Sequence, residues 1–342
     1  MLDFRNTPIS TLPETSYLLT PNNILPKNMD AEIYSPFTVT TTPYKTVNSQ
    51  PIPLYVLLPK TLPSGPAPII IHIHGGFLFA GNALYPDWST SWSRRYNLEH
   101  NAIRISANYR LAPEATGLEI LSDIRDLLTW VENNLAGYLK SIGSDATPDL
   151  EKVLVYGESA GGYLAIQAGL MRSDLVKAVV ACYPMTYLDS PWYAKVGDKH
   201  PFGIPTINKE ETLDKYLATM DRGKIVTESD PYARMPLAVA ALQNGLYPEI
   251  LGKEDEIYPA RVLEKMSGKE KVPFLFTMHG TEDSAVPAEE TRRFAQAWEE
   301  KFGKGSVVAK FEKGEHGFDG EVEYEAPWLQ EGLKAVTKAW IG

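Results

Sequence analysis

The sequence predicts an α/β fold with a mostly parallel central sheet and helices on both faces of that sheet. Short apolar runs alternate with longer amphipathic segments along most of the chain, an order typical of parallel strands joined by helices. Several of these runs are continuous and β-branched, as strands buried on both faces require. Across 342 residues, 44% are hydrophobic and 22% are charged, which is an ordinary globular composition.

Short apolar runs predict seven strands, and Pro53 places the first of them near a sheet edge. The strands span 52–58, 69–73, 102–107, 153–156, 178–183, 274–278 and 307–311. Helical periodicity, or a position directly after a strand, predicts four main helices. These helices span 118–135, 160–171, 288–301 and 326–340.

Residues 184–271 interrupt this alternation with a stretch rich in proline, tyrosine and charge. Short helical pieces are predicted within it at 209–220, 236–242 and 259–266. An insertion of this length between strands is more typical of a separate lobe or lid than of a structureless loop. We therefore predict that 184–271 forms a lobe or lid separate from the core around it.

Charge and cysteine content exclude several classes of protein. The chain carries 33 Lys and Arg against 43 Asp and Glu, a net charge of −10, which argues against nucleic acid as a partner. The single cysteine, Cys182, excludes an intrachain disulfide. Apolar runs fall far short of the roughly 20 residues that span a bilayer, and the first residues lack a signal-peptide pattern. We expect a soluble cytoplasmic protein with no membrane partner.

The pentapeptide Gly157-Glu158-Ser159-Ala160-Gly161 lies between a predicted buried strand and a predicted helix. A G-x-S-x-G sequence in that context is typical of a nucleophile elbow, a tight strand-to-helix turn that exposes a serine. Glycines are needed because side chains at the flanking positions would clash. The sequence therefore favours Ser159 as a nucleophile over a glycine-rich turn with an incidental serine.

A serine nucleophile needs a base, and the base needs an orienting carboxylate. Asp283 follows the predicted strand 274–278, and His316 follows the last predicted strand, 307–311. The order serine, acid, histidine and the placement after late strands are both similar to those of enzymes with a nucleophile elbow. Glu282 adjoins Asp283 and is the competing carboxylate.

Four other histidines have simpler interpretations. His72 lies inside a strand and is expected to pack in the core, whereas His100 is expected at the surface. His200 lies in the insertion and comes too early in the chain to be the base. His279 ends a strand, and we expect its side chain to bond to the backbone.

The loop after strand 69–73 contains two glycines, Gly75 and Gly76. Glycines there let backbone N–H groups approach a developing oxyanion, and the N–H of Ala160 is the expected third donor. A plain Gly-Gly turn is the alternative. The pair His72-x-His74 is the one histidine pair at metal-ligand spacing, and His74 is better explained by this loop. We therefore expect no metal and no other cofactor.

Three motifs in this order resemble the hormone-sensitive-lipase-like branch of the α/β-hydrolases. They are the HGG at 74–76, the YRLAPE at 109–114 and the GESAGG at 157–162. The resemblance runs from about residue 52 to the C-terminus. It implies an α/β-hydrolase fold with a catalytic core formed by 45–183 and 272–342. It also implies a helical cap or lid built from the N-terminal region, 1–44, and the insertion, 184–271.

The resemblance also implies a role for each matching residue. Ser159 corresponds to the nucleophile, Asp283 to the orienting acid and His316 to the base. The oxyanion-hole donors correspond to Gly75, Gly76 and Ala160. His74 corresponds to a residue that holds the oxyanion loop in shape, and the segment 109–114 corresponds to one that fixes the loop after strand 102–107.

One departure from the family pattern is visible, because the third glycine of its usual HGGG is Phe77 here. A phenylalanine at this position would narrow or redirect the acyl pocket. We predict an apolar, aromatic-tolerant substrate pocket. Its candidate lining residues, each of which could also be ordinary core, are Phe77, Phe79, Tyr85, Trp88 and Trp192.

The leading functional hypothesis is a serine carboxylic-ester hydrolase that acts through an acyl-enzyme on a small to medium apolar or aromatic ester. An alternative keeps the site but changes the reaction to acyl transfer, thioester release or carbon–carbon condensation in natural-product (secondary) metabolism. A non-catalytic small-molecule receptor is the remote alternative, disfavoured because all three triad candidates are present. The expected partner is a small-molecule ester or acyl substrate, and a homodimer is compatible with the sequence.

Overall fold

The structure, a computed structural model, describes residues 32–342. Its centre is one eight-stranded sheet with the strand order β1-β2-β4-β3-β5-β6-β7-β8. The strands are β1 (Phe37–Val47), β2 (Gln50–Pro59), β3 (Gly65–Ile73), β4 (Ile103–Ala107), β5 (Ala146–Glu158), β6 (Val176–Cys182), β7 (Phe274–Gly280) and β8 (Val307–Glu312). Strands β3 to β8 run parallel, and β1 and β2 add an antiparallel edge. The predicted α/β fold with a mostly parallel sheet is confirmed.

Helices cover both faces of the sheet and fill the insertion. They are α1 (Ser91–Glu99), α2 (Gly117–Ser141), α3 (Ala160–Met171), α4 (Pro191–Ala194), α5 (Lys215–Thr219), α6 (Pro231–Gln243), α7 (Tyr247–Leu251), α8 (Pro259–Lys265), α9 (Ala288–Phe302) and α10 (Pro327–Trp340). Apolar side chains of α2, α3 and α9 pack in one core cluster, and those of α1 and α10 pack in another. Because strand side chains alternate between faces, β3, β5, β6 and β7 each contribute to both clusters.

Strand β1 is absent from the sequence-based prediction, which assigns residues 1–44 to the cap. Residues 37–44 instead belong to β1, which pairs with β2 along nearly its whole length. The strand is half-buried at the sheet edge, and a register shift between Pro43 and Lys45 interrupts its pattern. Edge position and this bulge explain why the hydrophobic periodicity is weak. The rest of that predicted cap segment, 1–31, lies outside the described residues.

The insertion 184–271 contains helices α4 to α8, so its predicted helical character is observed. Near the predicted helix 209–220, a π-helical turn over Glu210–Asp214 leads into α5. Near the predicted helix 236–242, α6 begins earlier, at Pro231, because the Asp230 side chain accepts a hydrogen bond from the Tyr232 N–H. Among residues 32–342, no helix is long and apolar enough to cross a membrane.

Two glycines allow the end of β5 and the start of α3 to pack against the end of β3. A Cβ atom on Gly161 would lie 1.9 Å from the Ile73 carbonyl oxygen, and one on Gly157 would lie 2.2 Å from the Gly161 carbonyl oxygen. Real Cβ atoms do not approach backbone oxygens this closely. The turn between β5 and α3 is therefore possible only with glycine at both positions.

We expect Gly161→Ala to lower the free energy of unfolding by about 2–3 kcal/mol, because the added methyl group forces the backbone apart. Gly137→Ala is the matched control: Gly137 also lies inside a helix, but its Cβ would meet nothing within 4 Å. The control should raise stability by about 0.5–1 kcal/mol through helix propensity. Urea denaturation followed by circular dichroism measures both, and equal stability of the two variants would contradict the packing argument.

Candidate active site

Ser159 sits at the tight turn between β5 and α3, with backbone angles φ 57° and ψ −119°. Non-glycine residues rarely adopt this conformation, and it is a source of strain that marks functional positions. Its N–H donates to the Cys182 carbonyl oxygen at 2.8 Å, which anchors the turn to the end of β6. Helix α3 begins at the next residue, so its unpaired N–H groups lie beside the serine.

Asp283 and His316 meet at the same end of the sheet as Ser159, because all three follow the carboxyl ends of parallel strands. The Nδ1 atom of His316 lies 2.7 Å from Oδ2 of Asp283. Oδ1 of Asp283 accepts the backbone N–H groups of Ala285 and Val286, both at 2.8 Å. The Asp283 side chain is fully buried, whereas 9% of the His316 side chain is exposed. This pairing leaves Nε2 of His316 directed away from the acid.

A second histidine shares the acid. His279 places Nε2 at 2.9 Å from Oδ2 of Asp283 and 3.0 Å from the Val286 carbonyl oxygen. Its Nδ1 lies 2.8 Å from the Thr291 hydroxyl. The predicted backbone contact of His279 is therefore present, at Val286, but its ring also contacts the side chains of Asp283 and Thr291. The contact with Asp283 has a sequence signal, since the two residues are four apart across the turn after β7.

These contacts determine the charge state of the acid. Burial alone would raise the pKa of the Asp283 carboxyl, because the charged form loses its hydration. The attraction of His316 and the hydrogen bonds from His279 and His316 oppose burial and hold this pKa below its ordinary value. Asp283 is therefore ionised at neutral pH. Glu282, its sequence neighbour, is exposed and faces Lys313 at 3.8 Å.

Three aromatic rings surround His316. The Tyr183 ring meets it edge-on with 4.5 Å between centroids, and the Phe202 ring does so at 5.5 Å. The Phe77 ring stacks at 6.4 Å. Tyr183 follows Cys182, whose carbonyl oxygen accepts the Ser159 N–H. The segment 182–183 therefore contacts both the turn at Ser159 and the loop that carries His316. Phe202 comes from the insertion, and its N–H donates to the Ser284 hydroxyl beside the acid.

The loop after β3 differs from the prediction at one position. The N–H of Gly75 donates to Oε1 of Glu158 at 3.2 Å, so it is engaged within the protein and cannot serve a substrate oxyanion. Gly76 has φ 100°, and a Cβ there would lie 2.0 Å from the Ala80 carbonyl oxygen. Among residues 32–342, the N–H groups of Gly76 and Phe77 donate to no acceptor.

The segment 109–114, which the resemblance assigns to the loop after strand 102–107, braces the loop after β3. The Tyr109 hydroxyl donates to the carbonyl oxygens of His74 and Gly75 at 2.9 and 3.2 Å, and its ring stacks on His74. Nδ1 of His74 lies 2.8 Å from the Gly75 carbonyl oxygen. At the other end of the segment, Glu114 forms a buried ion pair at 2.6 Å with Arg234 of α6. The motif thus links the loop to the insertion.

The predicted pocket residues separate into two groups. Phe77 lies beside His316, Trp88 lies against Gly76, and Trp192 donates through Nε1 to the Ala285 carbonyl oxygen after the acid. The other two, Phe79 and Tyr85, have different surroundings. Phe79 is fully buried against Tyr247 in the main core, and Tyr85 packs on Trp88 at 4.9 Å and is half-buried near Asp87 and Asp230. Phe79 is therefore a core residue, the alternative that the sequence left open.

The remaining histidines take structural positions. His72 is buried and bonds to Ser106 and Glu158. His100 is half-buried against Tyr96, and His200 is exposed beside Asp198. No group of three His, Cys, Asp or Glu side chains that could hold a metal ion occurs among residues 32–342.

A family model described as alpha/beta hydrolase fold matches residues 70–244. The chain belongs to the α/β-hydrolase fold family. The match spans the loop after β3, the turn at Ser159 and most of the insertion. The expected resemblance and the expectation of a hydrolase enzyme are both confirmed.

The chain is similar to several named proteins and solved structures. The chain is 28% identical over 304 residues to the probable carboxylesterase M8 of Phoma sp., covering 87% of this chain and 94% of that protein. It is 27% identical over 312 residues to the non-reducing polyketide synthase stbA of Stachybotrys bisbyi, which involves 83% of this chain and 14% of the synthase. A Pyrobaculum calidifontis esterase structure matches with TM-score 0.58 at 19% identity, over 89% of this chain and 86% of that one, and shares the fold.

Replacing the buried acid should remove a part of the stability that depends on pH in the wild type. The folded-state pKa of Asp283 lies below its ordinary value, so its stabilisation is present above about pH 4 and is lost as the pH falls below that. We expect Asp283→Asn to cost about 2–4 kcal/mol of unfolding free energy at pH 7. The difference from wild type should shrink between about pH 4 and pH 2.

Asp174→Asn is the control for this measurement. Its pKa is lowered to about 2 by hydrogen bonds from Arg172, but the side chain is 66% exposed. Solvent screening should limit its effect to about 0.5 kcal/mol. Urea denaturation across the pH range tests both variants, and an equal pH-independent loss in both would refute the coupling of Asp283 to the two histidines.

Proposed function

We propose that this α/β-hydrolase is a serine carboxylic-ester hydrolase in which Ser159, His316 and Asp283 act as a triad. The observation that carries the proposal is the 2.7 Å contact between buried Asp283 and His316, at the sheet edge where strained Ser159 lies. Asp283 is ionised and its second oxygen is held by two backbone N–H groups. It therefore fixes the His316 ring with Nε2 free to take a proton.

The proposed reaction proceeds through an acyl-enzyme. Nε2 of His316 takes the hydroxyl proton as Ser159 Oγ attacks the ester carbonyl, and Asp283 stabilises the imidazolium. Collapse of the tetrahedral intermediate breaks the bond to the alcohol oxygen, which receives that proton. Water, deprotonated by His316, then attacks the acyl group and releases the acid and free Ser159. The proposed oxyanion donors are the N–H groups of Gly76, Phe77 and Ala160.

The relatives support ester hydrolysis as the reaction type. The probable carboxylesterase of Phoma sp. aligns over most of both chains, so its name bears on the whole domain. Phe77, Phe202 and Tyr183 around the base support an apolar or aromatic acyl group. We also propose that the insertion 184–271 forms a cap over the site, since Phe202 reaches both His316 and Ser284.

A second candidate is thioester release in natural-product metabolism. The observation that favours it is the similarity between 83% of this chain and a 14% segment of a non-reducing polyketide synthase. Such synthases carry their products as thioesters, and the same triad can attack a thioester carbonyl. In this reaction a thiol, rather than an alcohol, leaves from the tetrahedral intermediate.

We expect Ser159→Ala to abolish hydrolysis of short p-nitrophenyl esters and labelling by a fluorophosphonate probe, because the variant lacks the hydroxyl that the proposed mechanism uses as nucleophile. Ser141→Ala, which removes an exposed helical serine, is the control and should be labelled like wild type. Full labelling of the Ser159→Ala protein would disprove the nucleophile assignment. Thermal denaturation of both variants verifies that they fold.

The two candidate reactions differ in their preferred leaving group. We compare kcat/KM for the ethyl ester and the N-acetylcysteamine thioester of the same benzoic acid. For an ester hydrolase, kcat/KM for the thioester should exceed kcat/KM for the ester by less than about 100-fold. For an enzyme that recognises a thioester carrier, this ratio should be larger than about 100-fold. A preference for the thioester above this level would replace ester hydrolysis with the second candidate.

A further inference from the structure

A chain of buried polar side chains lies behind the proposed site and takes no part in the triad. It comprises Arg104, Ser106, His72 and Glu158, none of which exposes more than 4% of its surface. Burying an arginine, a histidine and a glutamate costs free energy unless each is hydrogen-bonded. Such an arrangement needs a structural or functional reason.

The period-two alternation of strands brings these side chains to one face of the sheet. His72 of β3 is in register with Ser106 of β4 and with Tyr156 of β5. Arg104 and Glu158 lie two residues from Ser106 and Tyr156, so their side chains point to the same face. The chain of contacts therefore crosses three neighbouring strands and ends at the residue before Ser159.

The contacts form a continuous series. The Arg104 Nε–H donates to the Ser106 hydroxyl at 3.1 Å, and that oxygen lies 3.2 Å from Nδ1 of His72. Nε2 of His72 lies 3.1 Å from Oε2 of Glu158. The other oxygen of Glu158, Oε1, accepts the N–H of Gly75 at 3.2 Å. The series thus ends on the backbone of the loop after β3.

The peptide groups around Gly75 are held at both ends. Its N–H is bound by Glu158, and its carbonyl oxygen is near Nδ1 of His74 and accepts from the Tyr109 hydroxyl. A trans peptide group is planar, so the N–H of Gly76 points opposite to the Gly75 carbonyl. Fixing Gly75 therefore fixes the direction of the Gly76 N–H. A Cβ on Gly75 would lie 3.3 Å from Cβ of Ser159, so this loop adjoins the nucleophile.

We propose that Glu158, oriented by the series from Arg104 through Ser106 to His72, is a positioning residue that aims the Gly76 N–H at the oxyanion. The inference rests on the proposed function, because it assigns the loop a role in stabilising the tetrahedral intermediate. Glu158 acts through the Gly75 peptide and does not touch the substrate. What the loop requires of it is a hydrogen-bond acceptor at the Oε1 position.

The protonation of Glu158 agrees with this role. Burial raises the pKa of Glu158 to about 8, and burial lowers the pKa of His72 well below its ordinary range. Near neutral pH, Oε2–H can donate to Nε2 of His72 while Oε1 still accepts from Gly75. A neutral side chain also avoids placing a negative charge beside a developing oxyanion.

The test compares Glu158→Gln with Glu158→Leu. A glutamine keeps an acceptor for Gly75 and a donor for His72, so its kcat should stay within about threefold of wild type. Leucine removes the acceptor, and we expect kcat to fall about 100-fold while KM changes less than about threefold. Affinity for a trifluoromethyl ketone, which mimics the tetrahedral intermediate, should fall in parallel with kcat.

A matched pair tests the series without disturbing Glu158, in case the leucine variant does not fold. Ser106→Ala removes the hydroxyl bonded to His72, and we expect kcat to fall about tenfold at unchanged KM. Tyr156→Phe is the control on the other side of His72: its hydroxyl has no hydrogen-bond partner among residues 32–342, so kcat should not change. Equal kcat in these two variants would overturn the proposal.

Two further results would also overturn the positioning role. One is wild-type kcat in folded Glu158→Leu, and the other is a loss in folded Glu158→Gln as large as in the leucine variant. Failure of the proposed function would look different. In that case the wild-type protein would not hydrolyse p-nitrophenyl esters, and Ser159→Ala would be labelled by the fluorophosphonate as strongly as wild type. Normal wild-type activity with unaffected Glu158 variants would reject only the positioning role.

Discussion

The close contact between Gly161 and the end of β3 is the constraint on which the rest of the site depends. With no side chain between them, the start of α3 lies directly against the Ile73 carbonyl. The turn carrying Ser159 and the loop beginning at His74 are therefore held together by backbone packing. The nucleophile, the loop N–H groups and the first turn of α3 share one small region, and side chains from other strands need only reach that region.

The two sides of this region are braced by different interactions. On one side, the Asp283 carboxylate is hydrogen-bonded to the rings of His279 and His316 and to two backbone N–H groups. Its charge is therefore compensated although it is buried. On the other side, Glu158 connects the loop to His72 across the sheet. The segment 109–114 joins this arrangement to the insertion, through Tyr109 at the loop and Glu114 on Arg234. The insertion is thereby connected by direct contacts to the loop beside Ser159.

The sequence predicts what short-range patterns determine. The turn at Ser159 contains the glycines that it needs. The parallel strand order alone places Asp283 and His316 at the carboxyl ends of their strands, on the same side of the sheet as Ser159. Strand β1 is not predicted from the sequence, because it is an edge strand that is only half-buried and a bulge interrupts its alternation of apolar and polar residues. The engagement of Gly75 by Glu158 and the approach of Phe202 to His316 depend on contacts between residues more than 80 positions apart. No local pattern carries that information.

The phenylalanine that replaces the family's third glycine shows how packing can outweigh backbone preference. Phe77 has a φ value of 58°, a region that costs a non-glycine residue about 1–2 kcal/mol. The Phe77 ring is buried between His316 and Phe202, and burying such a side chain contributes about 1.5–3 kcal/mol. A glycine would remove the strain and also the ring that shields one face of the base. The phenylalanine at this position is therefore explained by its contacts with His316 and Phe202. The loop accommodates it because other residues hold the two glycines: Glu158 and Tyr109 bind Gly75, and the N–H groups of Phe79 and Ala80 bind the Gly76 carbonyl.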